Sequence, residues 1–112
     1  MSARLTAKAW TNALIRRVHA EGGFATVLSH GDDTAGSVIL VIQKRDGGQA
    51  VLTRATRGDS YVWVVAMEHP RDQLGYVNDF LDKQRRYDPD VWIVELDIVH
   101  PERFIDESIV TN

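Results

Sequence analysis

Three features of this 112-residue chain predict an α+β fold: a mainly antiparallel sheet of five to six strands with two helices, in the order βαββββαβ. Four successive strand-like runs between residues 24 and 67 are separated by short turns rich in Gly and Asp, which favour hairpin connections. Two segments flanking that block carry apolar residues at helical spacing. The length fits one domain, and 44% apolar residues are enough for one core.

Leu5, Ala7 and Ala9 alternate with Thr6 and Lys8, which reads as a short first strand; a backward extension of the following helix is the competing reading, because Ala and Lys favour helix. From Thr11 onward, Leu14, Ile15 and Val18 share one helical face and Asn12, Arg16 and His19 the other, until Gly22 and Gly23 stop the helix. Phe24 to Ser29 and Gly36 to Gln43 are expected strands, joined by His30-Gly31-Asp32-Asp33-Thr34-Ala35. Asp46-Gly47-Gly48 turns the chain into a third strand, Gln49 to Ala55, and Arg57-Gly58-Asp59 into a fourth, Tyr61 to Met67. The four are expected to form an antiparallel meander.

A second helix is expected from about Pro70 to Arg86, because Pro suits a first turn and Leu74, Val77, Phe80 and Leu81 make one apolar stripe. Glu68 and Asp72 lie at its positive end and Lys83, Arg85 and Arg86 at its negative end. Asp79/Lys83 and Asp82/Arg86 are spaced i,i+4 in the favourable order. Pro89 disfavours helical dihedrals at Asp88 and so ends the helix, and Val91 to Leu96 is the last expected strand. The domain is expected to span residues 1–100, with 101–112 an acidic tail.

Val38-Ile39-Leu40-Val41-Ile42 and Tyr61-Val62-Trp63-Val64-Val65 are apolar on both strand faces, the pattern of strands buried on both sides. Two helices about 10 Å across cover roughly four strands on one face of a sheet. Both are expected on one face, so the other needs a shield beyond the two helices. Candidates are the tail residues Phe104, Ile105, Ile109 and Val110, closure of the sheet towards a half-barrel, or a second copy of the chain; the last makes a homodimer the expected state.

Charge and motifs bound the function classes. A net charge of −3, with 26% charged residues of both signs, offers no basic excess for a phosphate backbone, so nucleic acid is disfavoured as a partner. The charge is uneven: residues 1–65 hold 8 Lys/Arg against 5 Asp/Glu, and residues 66–112 hold 5 against 11. With no cysteine there are no disulfides, thiolate metal sites or thiol nucleophiles. The apolar runs, Val38 to Ile42 among them, are too short to cross a bilayer, and no basic segment followed by an apolar run opens the chain, which makes the cytoplasm the default location. His19, His30, His69 and His100 form no metal-binding pattern, and there is no G-x-S-x-G elbow, Walker loop or G-x-G-x-x-G. Neither a metal nor a cofactor is expected.

Three groups of residues carry candidate chemistry. Asp32 and Asp33, beside His30, offer carboxylates for a hard cation or for acid–base work, and serve equally as an Asx-type turn between strands. The pairs Arg16-Arg17 and Arg85-Arg86 offer a guanidinium fork for a carboxylate or phosphate; helix-end charge complementation accounts equally for the second pair. Asp88-Pro89-Asp90-Val91-Trp92 combines acids, a rigid turn and a large aromatic, which can wall a cleft, or can stop a helix and pack a core. Asp88 beside Arg85 and Arg86 also allows a local ion pair that fixes the turn into the last strand.

The stretches Ala13-Leu14-Ile15-Arg16-Arg17 with Gly22-Gly23, His30-Gly31-Asp32-Asp33-Thr34-Ala35-Gly36, and Gln84-Arg85-Arg86-Tyr87-Asp88-Pro89-Asp90-Val91-Trp92-Ile93-Val94-Glu95 resemble the bacterial domain-of-unknown-function family 1491. The resemblance spans about Leu5 to Asp97 and implies no activity, cofactor or catalytic residue. The reading that follows is a small non-enzymatic binding or interaction module that self-associates. The residues expected to meet a ligand or partner are Arg16, Arg17, Asp32, Asp33, Arg85, Arg86, Asp88 and Trp92, and the rival reading is a small enzyme or anionic-ligand-binding protein using Asp32, Asp33 and the two Arg pairs.

Overall fold

The computed structural model describes residues 6–58, 60–104 and 108–111. Helix α1 (Ala7–Ala20) is followed by strands β1 (Phe24–Ser29), β2 (Val38–Gln43), β3 (Gln49–Arg57) and β4 (Ser60–His69), helix α2 (Leu74–Tyr87), and strands β5 (Trp92–Asp97) and β6 (Ser108–Thr111). A 3₁₀ turn, Arg71–Gln73, leads into α2, and another, Pro101–Phe104, follows β5. The class is the predicted α+β with two helices, but the element order and the sheet differ from expectation.

The expected first strand is helix instead. Thr6 caps α1, its hydroxyl accepting from the Ala9 amide at 3.1 Å, and Ala7, Thr11, Leu14 and Val18 form one buried stripe. Ala7 therefore belongs to a spacing of three to four residues. Its alternation with Ala9 carries no structural weight, because Ala9 is exposed. Leu5 lies outside the described residues.

The sheet has six strands in the order β1-β5-β2-β3-β4-β6. The β2–β3 and β3–β4 hairpins are antiparallel as expected, while β5 runs parallel to β2 and β6 parallel to β4. The sheet is thus mixed, and the four-stranded meander is corrected at its first connection. β5 inserts between β1 and β2, pairing antiparallel with β1. The connection from Ser29 to Val38 is long enough to step over one strand, a gap of about 10 Å between the outer neighbours. A tight two-residue turn would have forced β1 and β2 together.

The two helices lie on opposite sides of the sheet, which corrects the assumption that they share a face. Leu14 and Val18 of α1 pack with Val38, Leu40, Ile42, Leu52, Trp63, Trp92, Val94 and Leu96. Val77 and Leu81 of α2 pack with Ile39, Val41, Val51, Val91 and Ile93. Alternation along β2 sends Leu40 one way and Val41 the other, and both are 0% exposed. The chain's own helices therefore provide the shield on both faces of β2. Phe104, expected among the shielding residues, joins the α1-side core, while β6 extends the sheet beyond β4. The acidic stretch after residue 100 thus contributes structure through both elements. Ile105 lies outside the described residues.

Candidate functional site

The insertion of β5 brings the two most distinctive sequence motifs together. Asp32 donates its backbone N–H to the Asp90 carbonyl at 3.0 Å, Trp92 donates its backbone N–H to Ser37 O at 2.7 Å, and the Trp92 indole N–H reaches Asp32 O at 2.8 Å. The His30 ring lies 4.1 Å from the Trp92 ring, centre to centre. The same loop caps α1, because Asp33 O and Thr34 O accept from the Lys8 and Ala7 amides at 2.9 and 3.1 Å. Gly31 and Gly36 allow this approach: a Cβ on either would lie 2.2 or 2.4 Å from Asp90 O.

Within this junction the carboxylates hold backbone. Asp32 Oδ2 accepts from the Ala35 and Thr34 amides at 2.9 and 3.1 Å, and those bonds, Ala35 first, hold its carboxyl below the usual aspartate range against a small opposing effect of desolvation. Asp33 faces His30 at 3.6 Å and Lys8 at 4.0 Å, all three side chains being largely exposed. Asp88 Oδ1 accepts from the Asp90 amide at 3.1 Å, an Asx turn that carries the chain from α2 into β5. Among the described residues there is no group of three or more His, Asp or Glu side chains placed to hold a metal ion.

The four arginines do not converge. Arg16 is exposed on α1, and Arg17 on the same helix donates to Arg103 O at 3.2 Å and lies over the Phe104 ring. Arg85 on α2, across the sheet, binds the Ser29 hydroxyl and donates to Asp82 Oδ1 at 2.8 Å, while Arg86 is exposed. Arg85 thus finds its carboxylate at Asp82, one helical turn back, where the sequence had offered Asp88. The fork imagined from the two pairs has its halves on opposite sides of the sheet.

What the fold does form is a cleft of about 390 Å³ where the C-terminal end of α2 meets the start of β2. Ser37, Thr53, Gln84 and Asp88 line it with polar groups, and Ile39 and Val91, on the α2 side of the sheet, supply apolar wall. Its size falls in the range of small-ligand sites. Arg54 also borders it, but alternation along β3 sends Thr53 to the α2 side and Arg54 to the α1 side, where its guanidinium lies 5.8 Å from the ring centres of both Trp10 and Trp63. Of the predicted site residues, Asp88 lines the cleft, and Trp92 lies in the core beneath the adjoining loop. Ser37 and Thr53 had no signal in the sequence, being small polar residues brought to the cleft only by the strand order, and Gln84 was marked only as the first residue of the stretch that carries the family resemblance.

The sequence profile described as "Protein of unknown function (DUF1491)" matches residues 5–106. This chain belongs to the DUF1491 family. A DUF1491 family protein from Caulobacter crescentus is 31% identical, and the match covers 96% of this chain and 100% of that one with a TM-score of 0.83 against its crystal structure. Its solution structure superposes with a TM-score of 0.81 at 31% identity, covering 97% and 99% of the two chains. Protein Atu0922 from A. tumefaciens is 26% identical over 95% of this chain and 98% of its own, with a TM-score of 0.73. No curated protein matches the chain. None of the described helices is long and apolar enough to cross a membrane. The DUF1491 profile covers the loop 30–36, α2 and the whole of the cleft lining.

Proposed function

We propose that this chain is a non-enzymatic binding module whose cleft takes a small polar ligand by a positively charged end, an ammonium or a guanidinium. The carrying observation is Asp88, the one carboxylate among the cleft-lining residues, at the C-terminal end of α2. Backbone carbonyls at a helix C-terminus carry negative partial charge, so helix and carboxylate favour the same sign of ligand. Ser37, Thr53 and Gln84 add donors and acceptors that can fix orientation, and Ile39 and Val91 exclude water along one wall.

Two further observations support binding over catalysis. Asp32 and Asp88 already serve as turn-forming acceptors, and the arginines that would have handled an anion lie on opposite sides of the sheet. Of the two carboxylates that sequence offers for acid–base work, Asp32 thus holds backbone and Asp33 is exposed beside His30 and Lys8, while Asp88 lines the cleft.

The test is an amide-resolved NMR titration of the intact protein with agmatine, and in parallel with inorganic phosphate. Agmatine is expected to shift the Ser37, Thr53, Gln84 and Asp88 amides saturably, with phosphate leaving them in place. Shifts with phosphate alone would reverse the sign of the ligand and favour the anion-binding reading, and no shift with either would remove the cleft as the binding site.

A further inference from the structure

Among the described residues β1 is an outer strand of the sheet, paired with β5 alone. Sheet edges in natural proteins are ordinarily protected from further pairing by charged side chains or proline. Phe24–Ser29 has neither, and Phe24, Val27 and Leu28 are 70%, 39% and 38% exposed. Three of the six large exposed apolar side chains among the described residues thus sit on one short strand.

Among the described residues, the side chain that meets the backbone of this edge is His19. Nε2 of His19, on α1, lies 3.2 Å from Ala25 N and 3.3 Å from Ala25 O. Backbone groups that meet His19 are not turned towards β5, so Ala25 belongs to the outward-bonding set of β1. The alternation of an antiparallel ladder places Val27 in the same set.

We infer that the outer edge of β1 adds to the β1 of a second copy of this chain, antiparallel, and that His19 competes with that second strand for the Ala25 backbone. A two-fold axis at Thr26 sets Ala25 opposite Val27 of the other copy in both directions, so their outward N–H and C=O groups pair reciprocally. It also brings Phe24 opposite Leu28 of the other copy, an aromatic–aliphatic cross-strand contact. No like charges oppose one another, because the strand carries none. Leu28 lies at the irregularity between Val27 and Ser29, which limits the new ladder to the strand centre. This surface is separate from the cleft and does not depend on the ligand proposed there.

Sedimentation equilibrium over a micromolar concentration series tests the pairing in the wild type, His19→Ala, Val27→Lys and the double variant, with circular dichroism confirming that each is folded. His19→Ala is expected to tighten dimerisation about tenfold, the order of one net hydrogen bond, and Val27→Lys to return either background to monomer. Val27 is exposed at the edge, so the single Val27→Lys variant tests the pairing even if His19→Ala fails to fold: a wild-type dimer lost in Val27→Lys supports the inference. Association unchanged by His19→Ala in a folded protein, a dimer that survives Val27→Lys, or the wild type and folded His19→Ala both monomeric would overturn it.

Discussion

Trp92→Ala is expected to destabilise the protein by about 3–5 kcal/mol, the range for removing a buried aromatic from a packed core. Trp92 is 2% exposed and packs in the α1-side core. Its indole N–H holds Asp32 O, its ring carries His30, and its backbone N–H holds Ser37 O. The substitution therefore opens a cavity and also loosens the loop that crosses over β5. Since whole domains are stable by only about 5–15 kcal/mol, the loss is a large fraction of the total. Urea unfolding followed by far-ultraviolet circular dichroism measures it. Trp92→Phe, which keeps most of the ring and loses the N–H, is expected to cost less, and the difference between the two variants separates packing from the Asp32 contact.

Gly31→Ala is the second large effect, about 3 kcal/mol of destabilisation from a single methyl group, at the upper end of the overpacking range. The added Cβ would lie 2.2 Å from Asp90 O, 2.6 Å from Trp92 Cδ1 and 2.7 Å from the carbonyl carbon of Val91. Two of those atoms are backbone at the entry to β5, so relief requires shifting the strand or the loop. Gly75→Ala is the control: it lies in α2 with nothing within 4 Å of its added Cβ, and is expected to stabilise by about 0.5–1 kcal/mol through helix propensity. Thermal melts of the two variants should move in opposite directions. A Gly31→Ala protein as stable as wild type would show that loop 30–36 is not pressed onto β5.

These two residues also mark where sequence reading was strong and where it failed. The apolar stripe of α2 and the hairpins of β2, β3 and β4 were legible because side-chain period and turn residues agreed. The partner of β1 was not: hairpin logic pairs successive strands, and nothing local reports a later strand entering between them. The physical clue was the length of the loop between Ser29 and Val38, rich in glycine at the points that cross Asp90. The apolar character of both faces of β2 signals two-sided burial, but the expectation that both helices share one face places the missing cover outside them. Ala7 shows the weakness of short alternation, since three residues of period two fit a capped helix as well. The cleft was illegible apart from Asp88, because Ser37 and Thr53 are distant from it in sequence and ordinary in type, and Gln84, one helical turn before it, is a neutral polar residue like many others.

Asp88→Asn offers the most direct test of the binding role assigned to the cleft. Asparagine keeps an Oδ1 that can accept from the Asp90 amide, so the turn into β5 persists while the charge is removed. The measurement is the agmatine titration repeated on this variant, with its melting temperature recorded in the same buffer. A melting temperature close to wild type is expected, with binding weakened by about tenfold or more, in line with losing a charge-assisted contact. Binding that is unchanged in a folded Asp88→Asn protein would contradict the binding role, and would leave Asp88 as a residue of the turn alone.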